Sequence, residues 1–268
     1  MTDFMRKKEL LLDILKEQGK IAVAFSGGVD SSFLLAAAKT VGEPVALTVS
    51  SVFVPKSELT EAAAFCQEFG VEQKIIELNP LSDKTIAENN PRRCYYCKRR
   101  IFTALLETAK EYGAVLIDGT NADDAKDYRP GLLALDELGV LSPLKAAGLT
   151  KTDIRALSRE MNLSTAAKPS KACLASRIPY GETLTKEKLA RVERAEDYLL
   201  ALGLTNLRVR AHGDIARIEV DRADFAKLIA DENADAIVSE LKSLGFTYVT
   251  LDLAGFKSGS MNARIVSS

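Results

Sequence analysis

The chain has very little histidine, the side chain that most often carries acid–base chemistry. Its 268 residues include one histidine, His212, and no tryptophan, and its formal net charge is −1. A metal site built from several histidines of one chain is therefore excluded, and a Ser/His or Cys/His relay would have to use His212. His212 stands before Gly213 and Asp214 in a predicted hairpin turn, where we expect a structural or solvated role.

Long apolar runs are also missing. No run approaches the roughly 20 residues that a membrane-spanning helix needs, and no signal-peptide core follows the N-terminal residues. We therefore expect a cytoplasmic protein. The hydrophobic content of 47% is enough for a sizeable core, and a net charge near zero gives no push toward nucleic acid or membranes.

The most informative motif is residues 26–32, between a predicted strand (20–25) and an apolar helical run (33–38). Two glycines let the backbone bend and approach a ligand, and the N–H groups of the loop and first helical turn point at an anion. An acidic residue in this cradle indicates a bridging cation, for which we predict Mg²⁺. The candidate phosphate-binding residues are Ser26, Gly27, Gly28, Asp30, Ser31 and Ser32.

This loop is not a Walker A motif, because no Gly-Lys-Ser/Thr follows. It is similar to the pyrophosphate-binding loop of the PP-loop ATP pyrophosphatases. That resemblance implies an enzyme that splits ATP between the α and β phosphates and adenylates a substrate. An ordinary strand–helix turn is the alternative explanation of the motif.

The first part of the chain alternates strands and helices, which favours an α/β fold with a parallel sheet covered on both faces. Ligands of such sheets bind beyond the carboxyl ends of the strands, where Ser26 and Asp118 lie. The predicted strands are 20–25, 44–50, 73–78, 114–118 and a short 141–144. The predicted helices are 9–18, 31–40, 57–69, 98–112 and 152–161.

A polar, proline-containing stretch then interrupts the alternation, and the order of elements changes. A long helix, a hairpin of strands 207–210 and 215–220, two further helices and a last strand at 248–252 follow. We predict an ATP-binding PP-loop domain over residues 1–165, a linker with an active-site loop over 166–185, and a smaller α+β domain over 186–268.

Four cysteines occur. Cys66 lies on an amphipathic helix and is expected in the core. Cys94 and Cys97 form a C-x₂-C pair in a predicted loop entering a helix, and Cys173 stands alone in the linker. A cytoplasmic setting disfavours a disulfide. A thioredoxin-type redox pair is also disfavoured, because the pair does not follow the first strand of a βαβ unit. A metal or cluster site with Cys173 as third ligand is the remaining hypothesis.

The chain as a whole resembles the LarE family of ATP-dependent sulfur transferases, which act in making the nickel-pincer nucleotide of lactate racemase. The resemblance rests on residues 24–32, 118–119, 127–131, 176–181, 209–219 and 248–256. It implies that ATP adenylates a carboxylate of a pyridinium dicarboxylate mononucleotide and that a thiocarboxylate results. It also implies a homo-oligomer, while the source of sulfide stays unknown.

The same resemblance implies roles for single residues. Cys94, Cys97 and Cys173 would hold a [4Fe–4S] cluster that passes sulfur on; in the alternative, Cys173 gives up its own sulfur. The resemblance and the motifs together imply ATP at Gly119, Mg²⁺ at Asp30 and Asp124, and substrate phosphate at Ser176, Arg177 and Arg208. Asp124 could equally be a turn aspartate. Glu196 and Glu219 match a second, intersubunit metal site whose third acidic partner has no clear counterpart here.

Two other classes of function stay open at this point. A PP-loop tRNA thiolation enzyme would share the loop and the cysteines but would need a basic surface for RNA. A nucleotide-sensing protein with a structural zinc at the three cysteines would need no catalysis. An amide-forming adenylating enzyme is disfavoured because it leaves the three thiols without a role.

Overall fold

A computed structural model describes residues 3–126, 130–169 and 172–257. It divides the chain into two compact units, the first comprising Met1–Pro80 and Cys94–Lys171 and the second Leu81–Arg93 and Ala172–Ser268. Part of the predicted motif 127–131 lies outside the described residues. Within the described part of the chain, no helix combines the length and apolar character needed to cross a bilayer.

The helices are α1 (Asp3–Glu17), α2 (Val29–Val41), α3 (Lys56–Glu68), α4 (Lys84–Ala87), α5 (Arg93–Glu111), α6 (Pro130–Glu137), α7 (Pro143–Ala146), α8 (Lys151–Glu160), α9 (Lys186–Ala201), α10 (Phe225–Ile229) and α11 (Asp231–Ser243). The strands are β1 (Ile21–Ala24), β2 (Val45–Ser50), β3 (Glu72–Glu77), β4 (Val115–Ile117), β5 (Leu207–His212), β6 (Ile215–Val220) and β7 (Tyr248–Leu251). Short 3₁₀ turns include Ala122–Lys126, Ser164–Ala167 and Leu174–Arg177.

The first unit is built on a parallel sheet of order β3-β2-β1-β4, which confirms the predicted fold class. The central strand β1 is apolar throughout because both of its faces are covered. One side of the sheet packs on a core with Leu11 of α1, Phe33 of α2 and Leu157 of α8. The other side packs on α5 through Phe102 and Leu105.

The predicted strand 141–144 is wrong. Leu141 forms only an isolated bridge to Ile117, and Pro143 then begins α7. Proline at the first helical position needs no hydrogen-bond partner for its nitrogen and already has a helical φ, so the chain turns into a helix instead of extending the sheet.

The predicted position of the C-x₂-C pair is also wrong, because the helix begins at Arg93 instead of near residue 98. The Asn90 side chain accepts from Arg92 N, and the Asn90 carbonyl accepts from Arg93 N, both at 2.9 Å. These bonds organise the turn ahead of α5. Cys94 and Cys97 therefore lie three residues apart in a helical turn, where side chains are neighbours.

The second unit is an α+β arrangement with sheet order β5-β6-β7. β5 and β6 pair antiparallel, with His212 opposite Ile215 across a two-residue turn, and β6 pairs parallel with β7. Helix α9 covers β5, since Leu189, Val192 and Leu199 are fully buried along one face of the helix.

Residues 81–93 belong to this second unit, although the predicted boundary places them in the first. The cause is a set of hydrogen bonds between residues that lie about ninety positions apart in the sequence. The Asn89 side-chain amide donates to the carbonyls of Ile178 and Pro179 at 3.2 and 2.7 Å. Backbone hydrogen bonds from Gly181 N to Asn89 O and from Leu184 N to Ala87 O join the same two segments.

Candidate nucleotide-binding and sulfur-transfer site

The phosphate-binding loop lies between the end of β1 and the start of α2 and is braced by its own serines. Ser31 Oγ donates to Gly28 O at 3.2 Å and lies 3.1 Å from Ser26 Oγ. Gly27 has a φ of +69°, and a Cβ there would come within 3.1 Å of Ala62 Cβ on α3. The positive φ favours glycine at this position, and the space beside Ala62 is tight for any larger residue.

An open cavity of about 320 Å³ lies at the carboxyl ends of the parallel strands, where the sequence predicted a ligand. Its lining residues are Ala24, Ser26, Gly28, Asp30, Ser31, Lys98, Phe102, Asp118, Gly119, Thr120 and Asp124. The structure thus brings together most of the predicted nucleotide site.

Two predicted residues of the loop lie outside this lining. Gly27 packs against α3, and the Ser32 side chain is fully buried, with no hydrogen-bond partner for its hydroxyl among the described residues. Gly119 lines the cavity, and a Cβ there would lie 3.0 Å from Ser31 N. The chain after β4 therefore approaches the N-terminus of α2 as closely as a glycine allows.

The carboxylate of Asp30 is the electrostatic centre of this site. Its Oδ2 accepts from Lys151 Nζ at 2.5 Å, whereas its Oδ1 is buried and has no hydrogen-bond partner among the residues that the structure describes. Burial raises the pKa of Asp30 above its ordinary value, and the Asp124 carboxylate raises this pKa further, although Lys151 and Arg155 oppose both effects. A buried carboxylate oxygen without a donor fits a cation ligand.

Asp118 and Asp124 lie beside the same cavity but differ in their partners. Asp118 accepts from Ser142 Oγ at 2.6 Å and Thr120 Oγ1 at 2.5 Å, so its two oxygens stabilise the loop after β4. Asp124 Oδ2 accepts from Asn121 N at 3.0 Å. Asp124 is therefore a turn aspartate that also faces the cavity, and both predicted roles are compatible with its position.

The Asp30–Lys151 ion pair leads to a prediction about pH. Lys151→Met removes the ammonium that lowers the pKa of Asp30, so this pKa should rise further. Only the ionised carboxylate binds a cation well, so the acid limb of the rate of AMP formation should move to higher pH. Rate–pH profiles of this variant provide the measurement. Lys8→Met is the control, because Lys8 pairs with Glu160, which lies on α8 as Lys151 does. An unchanged acid limb in Lys151→Met would contradict this account of Asp30.

Helix α5 contributes two residues to the cavity: Lys98, whose charge the sequence suggested would offset that of a nucleotide, and Phe102, which sequence reasoning missed. Lys98 and Phe102 line the cavity, and the Lys98 ammonium lies 5.6 Å from the centre of the Phe102 ring. The available signal was their spacing, since Cys94, Lys98 and Phe102 recur every four residues on one helix face. The cysteine pair is therefore on a helix that forms one wall of the cavity.

In the second unit, arginines hold the segment that carries Cys173. Arg177 is 2% exposed and donates through Nη1 to the carbonyls of Ala172 and Cys173, at 2.5 and 3.1 Å. Arg93 donates to Ala175 O at 3.0 Å, and Arg210 donates to Ser176 O at 2.7 Å. Four carbonyls of the segment are thus fixed by guanidinium groups, while the Cys173 residue itself is exposed.

The predicted metal ligands Glu196 and Glu219 are both engaged by arginines. Glu196 accepts from Arg177 Nε and Nη2 at 2.9 and 2.8 Å and from Val209 N at 2.9 Å. Glu219 accepts from Arg210 and Arg217, each at 2.9 Å. These ion pairs account for the burial of both carboxylates, and the second metal site stays a prediction.

Arg208 lies in the same buried cluster. Its burial lowers the pKa to about 10, and the neighbouring charge of Arg177 contributes. At neutral pH Arg208 is still protonated, so cationic charge is concentrated here in a desolvated place. Such a cluster favours an anionic ligand with phosphate geometry.

The cysteines differ in their surroundings. Cys66 is buried, as predicted, and burial raises the pKa of its thiol to about 11. Cys94 and Cys97 are half-buried thiols of the first unit, and Cys173 is an exposed thiol of the second. Within the described ranges, no three His, Cys, Asp or Glu side chains are grouped closely enough to hold a metal ion. The structure therefore does not support the predicted [4Fe–4S] ligand set.

The asparagine synthase family model matches residues 12–108, which include the phosphate-binding loop and the C-x₂-C pair. Together with the parallel sheet and the cavity at its carboxyl edge, this match defines an ATP-using enzyme with a PP-loop domain. The chain is also 40% identical, over all of its length and 98% of the relative, to pyridinium-3,5-bisthiocarboxylic acid mononucleotide synthase of Lactiplantibacillus plantarum. The chain belongs to the LarE family that this synthase represents, and it is an ATP-dependent sulfur-transferring enzyme.

Two further relatives differ in how much of this chain they match. An uncharacterized protein of Synechocystis sp. is 38% identical over 96% of this chain and 97% of its own length. A tRNA-specific 2-thiouridylase of Trichlorobacter lovleyi is 29% identical over 56% of this chain and 52% of its own length. The thiouridylase likeness is therefore partial, whereas the likeness to the mononucleotide synthase covers the whole chain.

Proposed function

We propose that this enzyme makes thiocarboxylates on a pyridinium dicarboxylate mononucleotide, in the synthesis of a nickel-pincer nucleotide. A substrate carboxylate oxygen attacks the α-phosphorus of ATP, and pyrophosphate leaves. A sulfur nucleophile then attacks the acyl carbon, and AMP leaves with the carboxyl oxygen. The product keeps sulfur where the carboxylate had oxygen.

Adenylation is needed because a carboxylate is a poor electrophile with no leaving group. The loop at the start of α2 supports this step, since the N–H groups of a helix N-terminus stabilise the charge of a departing pyrophosphate. The observation that carries the proposal is Asp30, whose buried Oδ1 has no partner in the described part of the chain and lies beside an open cavity at that N-terminus. Asp30 and Asp124 would hold Mg²⁺, which would screen the phosphate charges.

The arginine cluster of the second unit supports a site for the phosphate of the mononucleotide. Three arginines, residues 177, 210 and 217, pair with the buried glutamates 196 and 219, and Arg217 also lies 3.6 Å from Asp252. Arg208 is buried in the same cluster and brings the arginines to four against these three carboxylates. The excess of positive charge suits a phosphate dianion. Ser176 precedes Arg177 in the Leu174–Arg177 turn, and its hydroxyl accepts from Arg177 Nη1 at 3.1 Å. Ser176, Arg177 and Arg208 therefore stay the candidates for contact with the phosphate.

The sulfur donor is the finer part of the proposal. Cys173 is common to both routes, as a cluster ligand with Cys94 and Cys97 or as a residue that donates its own sulfur. Because the described residues contain no group of three metal ligands, we derive no step through a cluster. Iron and acid-labile sulfide in anaerobically purified protein would support the cluster route, and their absence together with loss of protein mass during turnover would support the sacrificial one.

The test of substrate class is AMP formation in the presence of each candidate acceptor. The expected result is AMP and pyrophosphate in equal amounts when the mononucleotide is added, and neither product when tRNA is added. AMP release that depends on tRNA would favour the thiolation enzyme instead. A colourless, zinc-containing protein that forms no AMP with either acceptor would favour the nucleotide sensor.

A further inference from the structure

Lys168 contacts the phosphate-binding loop from the side of α3. Its Nζ donates to Gly27 O at 2.8 Å and lies 2.6 Å from Glu61 Oε2 and 3.7 Å from Glu58 Oε1. The side chain is only 11% exposed, although lysine is rarely buried without a partner. None of the motifs in the sequence pointed to this residue.

The geometry points to Lys168 as a positioning residue for pyrophosphate, and this inference rests on the proposed adenylation. The Gly27 carbonyl and the Gly28 N–H belong to one planar trans peptide, so they point in opposite directions. Lys168 binds the carbonyl, which directs the Gly28 N–H away from Lys168. Gly28 lines the cavity, and within the described ranges its N–H has only a long contact of 3.4 Å to Ser26 Oγ.

This arrangement matters because the loop could otherwise present the wrong dipole. If the Gly27–Gly28 peptide rotated, a carbonyl oxygen would face the phosphates in place of an N–H donor. Glycine at both positions makes such rotation easy, and Gly27 already has a positive φ. The charge-assisted bond from Lys168 opposes that rotation.

Lys168 is itself held in place by α8. Arg155 donates to Ala166 O at 2.7 Å and to Lys168 O at 2.8 Å. One turn earlier on the same helix, Lys151 pairs with Asp30. Helix α8 therefore supports the phosphate-binding loop at two points, the carboxylate of Asp30 and the carbonyl of Gly27.

The charge of Lys168 is offset by Glu58 and Glu61, so we expect its effect to be local and geometric. Binding of pyrophosphate, which contacts the loop, should depend on Lys168. AMP lacks the β and γ phosphates, so its binding should not depend on Lys168. This difference separates a positioning role from general damage to the unit.

The experiment compares Lys168→Met with Lys168→Arg and the wild type in the full-length protein, by calorimetric titration with magnesium pyrophosphate and, separately, with AMP. Lys168→Met should weaken pyrophosphate binding about tenfold, the value of one hydrogen bond to a charged group, and leave AMP binding within about twofold. Lys168→Arg keeps a cationic donor and should recover part of the loss. Lys39→Met is the matched control, because Lys39 also bonds a glycine carbonyl and a glutamate, but near the far end of α2.

Unchanged pyrophosphate binding in Lys168→Met would overturn the inference, as would an equal loss of pyrophosphate and AMP binding. If Lys168→Met does not fold, Lys168→Arg decides: pyrophosphate binding weakened more than AMP binding supports the positioning role, and equal changes in both overturn it. Failure of the proposed function looks different, since the wild type itself would then form no AMP from ATP when the mononucleotide is added, whatever the variants bind.

Discussion

Asp30→Asn should lower substrate-dependent AMP formation by about two to three orders of magnitude, the range found when one charge-stabilising group is removed from an active site. Asparagine keeps the shape of the side chain but cannot balance a divalent cation at Oδ1. Initial rates over a magnesium titration provide the measurement. Asp13→Asn is the matched control, because Asp13 is an exposed aspartate that pairs with Lys16 far from the loop in sequence.

The same variant should not lose stability at neutral pH. The folded-state pKa of Asp30 is raised above its ordinary value, chiefly by burial, so the folded protein binds the Asp30 proton more tightly than the unfolded chain does. Ionisation of Asp30 therefore costs stability as the pH rises through the interval between these two pKa values. An asparagine carries no such cost. A rate within threefold of the wild type in Asp30→Asn, with the fold intact, would contradict the role of Asp30.

Arg177→Met should reduce the free energy of unfolding by about 3–5 kcal/mol and abolish thiocarboxylate formation. The stability effect arises because Glu196 would be left as a buried carboxylate without its bidentate partner. The functional effect arises because the carbonyls of Ala172 and Cys173 lose the guanidinium that fixes them. Urea unfolding and product analysis measure the two effects separately.

The double variant Arg177→Met, Glu196→Gln separates these causes. A glutamine carries no charge and can still accept the bond from Val209 N, so stability should recover in part. The carbonyls of Ala172 and Cys173 would still lack the Arg177 guanidinium that fixes them. Sulfur transfer should therefore stay low while AMP formation persists. Full recovery of thiocarboxylate formation in the double variant would mean that Arg177 acts only through stability.

The sequence allowed the first unit to be predicted well because its signals are local. The alternation of apolar strands and helices indicated the parallel sheet, and residues 26–32 carry glycines, serines and an aspartate within one turn. The structure confirms the sheet, and the cavity beside the loop collects Ser26, Asp30 and Gly119. The misplaced start of α5 has a local cause too, since the bonds at Asn90 were not anticipated.

Other features depend on contacts that no short window of sequence contains. Lys151 lies 121 positions after Asp30, and Lys168 lies 141 positions after Gly27. The assignment of residues 81–93 to the second unit depends on bonds between Asn89 and residues 178–179. A lysine or arginine without a motif is usually read as a solvated surface residue, so only the folded arrangement identifies those that support the loop or the Cys173 segment.

The most direct measurement is mass spectrometry of both substrate and protein after anaerobic incubation with ATP, Mg²⁺, sulfide and the pyridinium dicarboxylate mononucleotide. We predict that the mononucleotide gains the mass expected for exchange of one carboxylate oxygen for sulfur, with one AMP released for each sulfur inserted. An unchanged protein mass would support sulfur delivery without sacrifice of Cys173, and loss of the elements of H₂S from the protein would identify Cys173 as the donor. A mononucleotide that keeps its mass while ATP is converted to AMP would contradict the proposed sulfur transfer.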